Sequence, residues 1–169
     1  MKKALLIIDV QNDYFPGGKL PLWNTEETLD HIEAAIRTAK AKDIPVILIQ
    51  QFTDSKVAPF FNKGTEGAEI HPRIRAAAPE AQVVTKGFAD SFHQTDLDGI
   101  LSKLGATTLL VCGMMTQNCV THTAISKAAE KYEVIMLSDC CTTVSSLIHH
   151  IALRAVSTRL AVASSKKAV

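Results

Sequence analysis

Charge of one sign is scarce in this chain of 169 residues. Its 18 lysines and arginines face 17 aspartates and glutamates, for a formal net charge of +1. No basic block extends beyond a terminal Lys-Lys pair, so the electrostatic footprint of a nucleic-acid binder is missing and no such partner is expected. Long apolar runs are missing too. The first, ALLII, covers Ala4–Ile8 before Asp9 interrupts it, short of the ~7 residues of a signal-peptide core. No stretch approaches the ~18 apolar residues of a membrane-spanning helix. A soluble cytoplasmic protein with no membrane partner is the expectation. The few cysteines, Cys112, Cys119, Cys140 and Cys141, contain no C-x-x-C spacing, and the adjacent last two are badly placed for an ordinary disulfide. In a cytosolic chain such thiols are expected to be reduced. Repeats, linkers and low-complexity tracts are absent as well.

What is present is enough apolar material for a core: 47% of the residues, in a length suited to one domain over 1–169. Continuous apolar runs at 4–10, 45–51, 81–86, 107–113 and 132–138, and a weaker one at 157–164, read as strands. Runs apolar on both faces belong to a parallel sheet covered by helices. Helical patterns lie between them at 25–42, 96–104, 118–131 and 144–155. The first follows Asn24, with Glu27 three residues on in a capping-box-like arrangement. The third places Val120, Ala124, Ile125, Ala128 and Ala129 on one stripe. This alternation predicts an α/β, doubly wound sheet. The long irregular stretch 52–80 has the length of a functional lid or contact surface.

In an open α/β sheet, ligands bind beyond the carboxyl ends of the strands. Asp9 ends the first strand, Lys86 ends the third, and Cys119 opens the helix after the fourth. Singly, each has an ordinary explanation: a turn cap, a surface lysine, an inert thiol. Together they make chemical sense. A carboxylate after LLII is desolvated and needs a partner, which an ammonium supplies. A thiol beside a cation and at a helix N-terminus is expected to have a lowered pKa.

The segments LLIIDVQNDYFPGG (5–18), GTEGAEIHP (64–72), VVTKGFADSFHQTDL (83–97), LLVCGMMTQNCVTHTA (109–124) and YEVIMLSD (132–139) resemble the isochorismatase-like cysteine hydrolases, which include nicotinamidase, N-carbamoylsarcosine amidohydrolase and isochorismatase. The resemblance implies a six-stranded parallel sheet with helices on both faces. It implies a catalytic triad of Asp9, Lys86 and Cys119 that cleaves the C–N bond of a small-molecule amide through a Cys119 thioester. It also implies an oxyanion hole formed by the N–H groups of Met115 and Cys119, with a cis peptide between Met114 and Met115, and a homodimer or larger homo-oligomer. No cofactor is implied.

One departure concerns metal. Nicotinamidases carry Asp-x-His after the second strand, where this chain has QQFTDS, and His71 stands alone further on. No metal is therefore expected. His122, three residues after Cys119, offers a rival Cys–His pair. His149 and His150 read as a solvated helix face. Gln11, Tyr14, Phe15, Trp23 and Thr116 are candidate walls of a substrate pocket, with core packing an equal reading for Phe15. Two alternatives stay open at this level: a redox-sensing or binding protein using Cys119, Cys140 and Cys141, and a hydrolase of an ester, imide or carbamoyl group.

Overall fold

The computed structural model describes residues 2–53 and 58–169. The central strand is β1 (Lys3–Ile8), whose apolar residues are buried on both faces. It pairs in parallel with β2 (Val46–Gln51) on one side and with β4 (Thr108–Met114) on the other. Beyond β2 lies β3 (Gln82–Lys86), and beyond β4 lie β5 (Glu133–Thr142) and β6 (Ala161–Ala163). The order is β3-β2-β1-β4-β5-β6, all parallel. The chain builds outward from β1 to β3, then crosses back to β4 and builds the other way. The carboxyl ends of β1 and β4 thus diverge at a topological switch point, where such folds open a crevice.

Helices cover both faces of the sheet. In α1 (Thr25–Ala41), Leu29, Ile32, Ala35, Ile36 and Ala39 form the buried stripe, a spacing that keeps one helical face on the sheet. The following helices are α2 (Pro72–Ala77) and α3 (Leu97–Leu104). Arg73 on α2 ties this helix to α1: its Nη2 lies 2.6 Å from Asp30 and its Nε donates to Glu33 at 3.1 Å. The expected cap of α1 is different in detail. Asn24 is left-handed, and its side chain donates to Glu27 Oε2 at 2.7 Å instead of capping the backbone. The stretch 52–80 is less irregular than expected, since it holds a 3-10 turn at Glu66–Ala68 as well as α2. Its residues 54–57, including part of QQFTDS, lie outside the described residues.

Two boundaries bear on chemistry. The first strand ends two residues earlier than expected, because Asp9 adopts φ +52° and turns the chain out of the sheet. The helix expected over 118–131 is three pieces: a π-turn Thr116–Val120, α4 (Thr121–Ala124) and a 3-10 turn Lys127–Lys131. Val120 N–H donates to Met115 O at 3.3 Å, and Thr121 Oγ1 donates to Thr116 O at 2.5 Å. The hydroxyl thereby shares the Thr116 carbonyl with the Thr121 N–H, which also donates to it. Cys119 sits inside this π-turn and not in the first turn of an α-helix. The peptide bond Met114–Met115 is cis.

The remaining helices are α5 (Ser146–Val156), capped by Ser145 Oγ accepting from Ile148 N–H, and α6 (Ser165–Ala168). Among the described residues no helix is long and apolar enough to cross a membrane.

Candidate active site

Asp9 and Lys86 meet at the carboxyl rim of the sheet. β1 delivers the aspartate, and Lys86 is the last residue of β3, two strands away. Both side chains are fully buried, with Lys86 Nζ 2.8 Å from Asp9 Oδ2. The ammonium also donates to Gln51 Oε1 at 2.6 Å and to Phe88 O at 2.9 Å. Two aligned hydrogen bonds and the Asp9 ion pair thus fix the ammonium in place. Neither Asp9 oxygen accepts an aligned hydrogen bond from the described residues. The carboxylate is held by charge, and its lone pairs are open to a proton.

The Cys119 thiol lies against this pair, with Gln51 Oε1 3.3 Å from its Sγ. Burial pushes the Asp9 carboxyl above its usual range, and the Lys86 charge opposes that push without cancelling it. A raised pKa makes Asp9 a stronger base. For Lys86, burial pulls downward, but the charges of Asp9 and Cys119 hold it above the ordinary lysine value, so it stays an ammonium.

The sequence led to a lowered thiol pKa at Cys119, and the structure corrects this. Burial raises the thiol well above its usual value, Asp9 adds to the rise, and Lys86 alone pulls the other way. The helix N-terminus invoked from sequence is not there either. The resting sulfur is therefore a neutral thiol. Because the reactive thiolate fraction below the pKa grows tenfold per pH unit, iodoacetamide labelling of Cys119 should climb about tenfold per unit across the neutral range without a plateau. A plateau near neutrality, read by peptide mass mapping, would mean a resting thiolate.

The other candidates divide. Tyr14 is buried, and the charges of Asp9 and Cys119 help burial to raise its phenol pKa, which places it beside the site. Gln11 is no pocket wall: its fully buried amide is saturated by backbone groups, accepting from Gln51 N–H and donating to Gln51 O and Ala68 O. Phe15 packs in the core, its ring 4.2 Å from that of His71. Trp23 is 38% exposed and lies 6.0 Å from the His149 ring. Thr116 is buried, its Oγ1 2.9 Å from His149 Nδ1. That contact corrects the expectation of a solvated His149, which is buried, with burial pulling its pKa down. His150 is exposed, against Ser146 O.

His122 is exposed, and the sulfur's neighbours are Gln51, Asp9 and Lys86, so the Cys119–His122 pair does not form. Cys140 and Cys141 are buried on β5 near Cys112 of β4, and none of them figures among the groups acting on Cys119. His71 caps α2, accepting from Arg73 N–H. Among the described residues, no three His, Cys, Asp or Glu side chains gather as metal ligands.

One polar residue, Gln51, escaped the sequence reading. Gln51 reaches the nucleophile candidate, and its only signal was a polar side chain at the end of an apolar strand. Asp13, four residues after Asp9, is buried, with Oδ2 accepting from Phe61 N–H at 2.8 Å and Oδ1 from Lys19 N–H at 3.2 Å.

A buried acid, ammonium and thiol at the switch point of a 321456-ordered parallel sheet can be compared with known proteins. Residues 3–168 match the model of the isochorismatase domain family. The uncharacterized isochorismatase family protein YddQ of Bacillus subtilis is 38% identical over 143 residues, spanning 85% of this chain and 79% of YddQ. Maleamate amidohydrolase of Pseudomonas putida is 27% identical over 153 residues, spanning 82% of this chain and 71% of that enzyme. The crystal structure of an isochorismatase-like hydrolase from Alkaliphilus metalliredigens superposes with a TM-score of 0.90 at 28% identity, covering 98% of this chain and 95% of that one. With residues 3–168 matched by the family model and the fold shared at a TM-score of 0.90, the chain belongs to the isochorismatase family of hydrolases.

Proposed function

We propose that the chain hydrolyses a C–N bond in a small-molecule amide, with Cys119 as nucleophile, Asp9 as proton carrier and Lys86 as the fixed counter-charge. The observation that carries this reading is the buried contact of Lys86 Nζ with Asp9 Oδ2 at 2.8 Å, with the Cys119 thiol against both. Similarity to an amidohydrolase supports the choice of bond.

In the first half-reaction, Cys119 Sγ attacks the carbonyl carbon while its proton passes to Asp9. The carbonyl oxygen becomes an oxyanion, which the N–H groups of Met115 and Cys119 are assigned to stabilise. The C–N bond then breaks, the nitrogen leaves with the proton returned by Asp9, and a thioester remains on Cys119. In the second half, Asp9 takes a proton from water as its oxygen attacks the thioester. The C–S bond breaks, the sulfur regains a proton, and the free acid departs. Lys86, ion-paired with Asp9 and bonded to Gln51 and Phe88, acts through its charge: it opposes the upward push of burial on the Asp9 carboxyl and offsets the negative charge that forms on sulfur.

The test is a panel of small amides with ammonia release as the readout. At least one amide should be turned over, and Cys119→Ala should lower that turnover by about three orders of magnitude or more, the scale seen when a nucleophile is removed. A slow substrate should add its acyl mass to the Cys119 peptide. Undiminished turnover by Cys119→Ala would overturn the reading.

A further inference from the structure

Gln51 is the polar group nearest the Cys119 sulfur that the proposed chemistry leaves without a task. Its backbone is clamped from both sides: the Gln11 amide accepts from Gln51 N–H at 2.9 Å and donates to Gln51 O at 2.8 Å. A third bond, from Gln11 Nε2 to Ala68 O at 2.7 Å, anchors the clamp itself. The Gln51 side chain therefore leaves a fixed point. Its Oε1 lies 2.6 Å from Lys86 Nζ and 3.3 Å from Cys119 Sγ.

These two contacts determine which way the amide faces. An ammonium has donors only, so the atom turned toward Lys86 is the amide oxygen. The same oxygen then faces the sulfur, where it can accept from a thiol and has nothing to donate to a thiolate.

We propose that Gln51 is a positioning residue that locks the resting nucleophile as a neutral thiol, its proton directed at an amide oxygen shared with Lys86. The functional meaning rests on the reading of Cys119 as nucleophile. A thiolate formed without substrate would meet an acceptor lone pair at close range. Deprotonation is thereby delayed until Asp9 takes the proton and the new C–S bond removes the charge from sulfur. Lys86 directs N–H groups at Gln51 and Phe88 and is ion-paired with Asp9. The buried thiol is in this way guarded against alkylation and oxidation between turnovers.

The charged and titratable groups acting on the sulfur are Asp9 from the end of β1 and Lys86 from β3. Tyr14, from the 3-10 turn after β1, lies within range of the Cys119 charge and keeps its proton. On α5, His149 is engaged by Thr116. Gln51 is the uncharged member of the set, so its influence persists at every pH, and removing it shifts the thiol titration without adding or removing a titrating group.

The experiment measures the rate of iodoacetamide labelling at Cys119, by peptide mass, from about pH 6 to about pH 10. Gln51→Met keeps the length and removes the acceptor. Its Cys119 should label about tenfold faster near neutrality, equivalent to a one-unit drop in thiol pKa. Gln51→Glu keeps the oxygen and adds negative charge, so its Cys119 should label about tenfold more slowly. General loosening would speed both variants and would also expose Cys112, Cys140 and Cys141, whose labelling is followed in parallel. Wild-type or slower labelling in Gln51→Met overturns the proposal, and so does faster labelling in Gln51→Glu. If the methionine variant does not fold, the isosteric glutamate variant decides the sign alone. No substrate enters this measurement. The expected shifts in a protein that cleaves no amide would sink the proposed reaction and leave the lock standing, and unshifted labelling in an active amidase would do the reverse.

Discussion

Lys86→Met should lose about 3–5 kcal/mol of stability together with nearly all turnover. The variant leaves the Asp9 carboxylate buried without its counter-ion, and an uncompensated buried charge carries a cost of that order. Asp9→Asn strands the Lys86 ammonium in the same way. The double variant, with no charge left to bury, should recover most of the lost stability in denaturant unfolding while remaining inactive. Simple additivity of the two losses would show that the pair is not coupled in the folded state. The sign of the pH dependence follows from burial. In Lys86→Met the folded-state pKa of Asp9 rises further above its unfolded value of about 4. The folded protein then binds the extra proton, so stability declines as pH rises from about 4 toward the raised folded pKa. The variant should look least impaired in mild acid.

Gly113→Ala should be nearly as damaging, although Gly113 bears no chemistry. This glycine has φ +120° and pairs with Ile8 across the β1–β4 ladder. An added Cβ would stand 2.0 Å from Ile8 O and 2.7 Å from Ile8 N. Both are backbone atoms in the middle of the sheet, with no flexible side chain to move aside. Strain at such a φ costs of order 1–3 kcal/mol, and overpacking adds about 1–3 kcal/mol. The expected loss is about 2–6 kcal/mol. The strands that must separate are those that deliver Asp9 and Cys119, so the surviving folded fraction should also be poorly active. A soluble variant with wild-type unfolding midpoint would show that β4 can slide without cost.

Much of the architecture is visible in particular residues. The run ALLII, buried on both faces, could only be a central strand of a covered parallel sheet, and β1 is that strand. The same periodicity placed Asp9 and Lys86 at strand ends and Cys119 just beyond one, because strand ends are where apolar runs stop. The helix expected over 118–131 breaks into three pieces for a physical reason. Its apolar stripe is real, but the backbone pattern is decided by the Thr121 hydroxyl on Thr116 O and by the Val120-to-Met115 bond, which periodicity does not register.

The sequence by itself determined what is local or periodic: the strands, their covering helices, the three reactive side chains at the rim and the family to which the chain belongs. Only the tertiary structure decided how those side chains behave. Whether the thiol of Cys119 is acidic or inert depends on the balance between burial, Asp9 and Lys86, and burial is a property of the whole packed molecule. Whether a glutamine is a clamp, as Gln11 is, or reaches the sulfur, as Gln51 does, depends on which atoms of distant segments lie within about 3 Å, the range of a hydrogen bond. Residue types and spacing specify the donors and acceptors, but their pairing across dozens of residues is set only when the strands stand side by side.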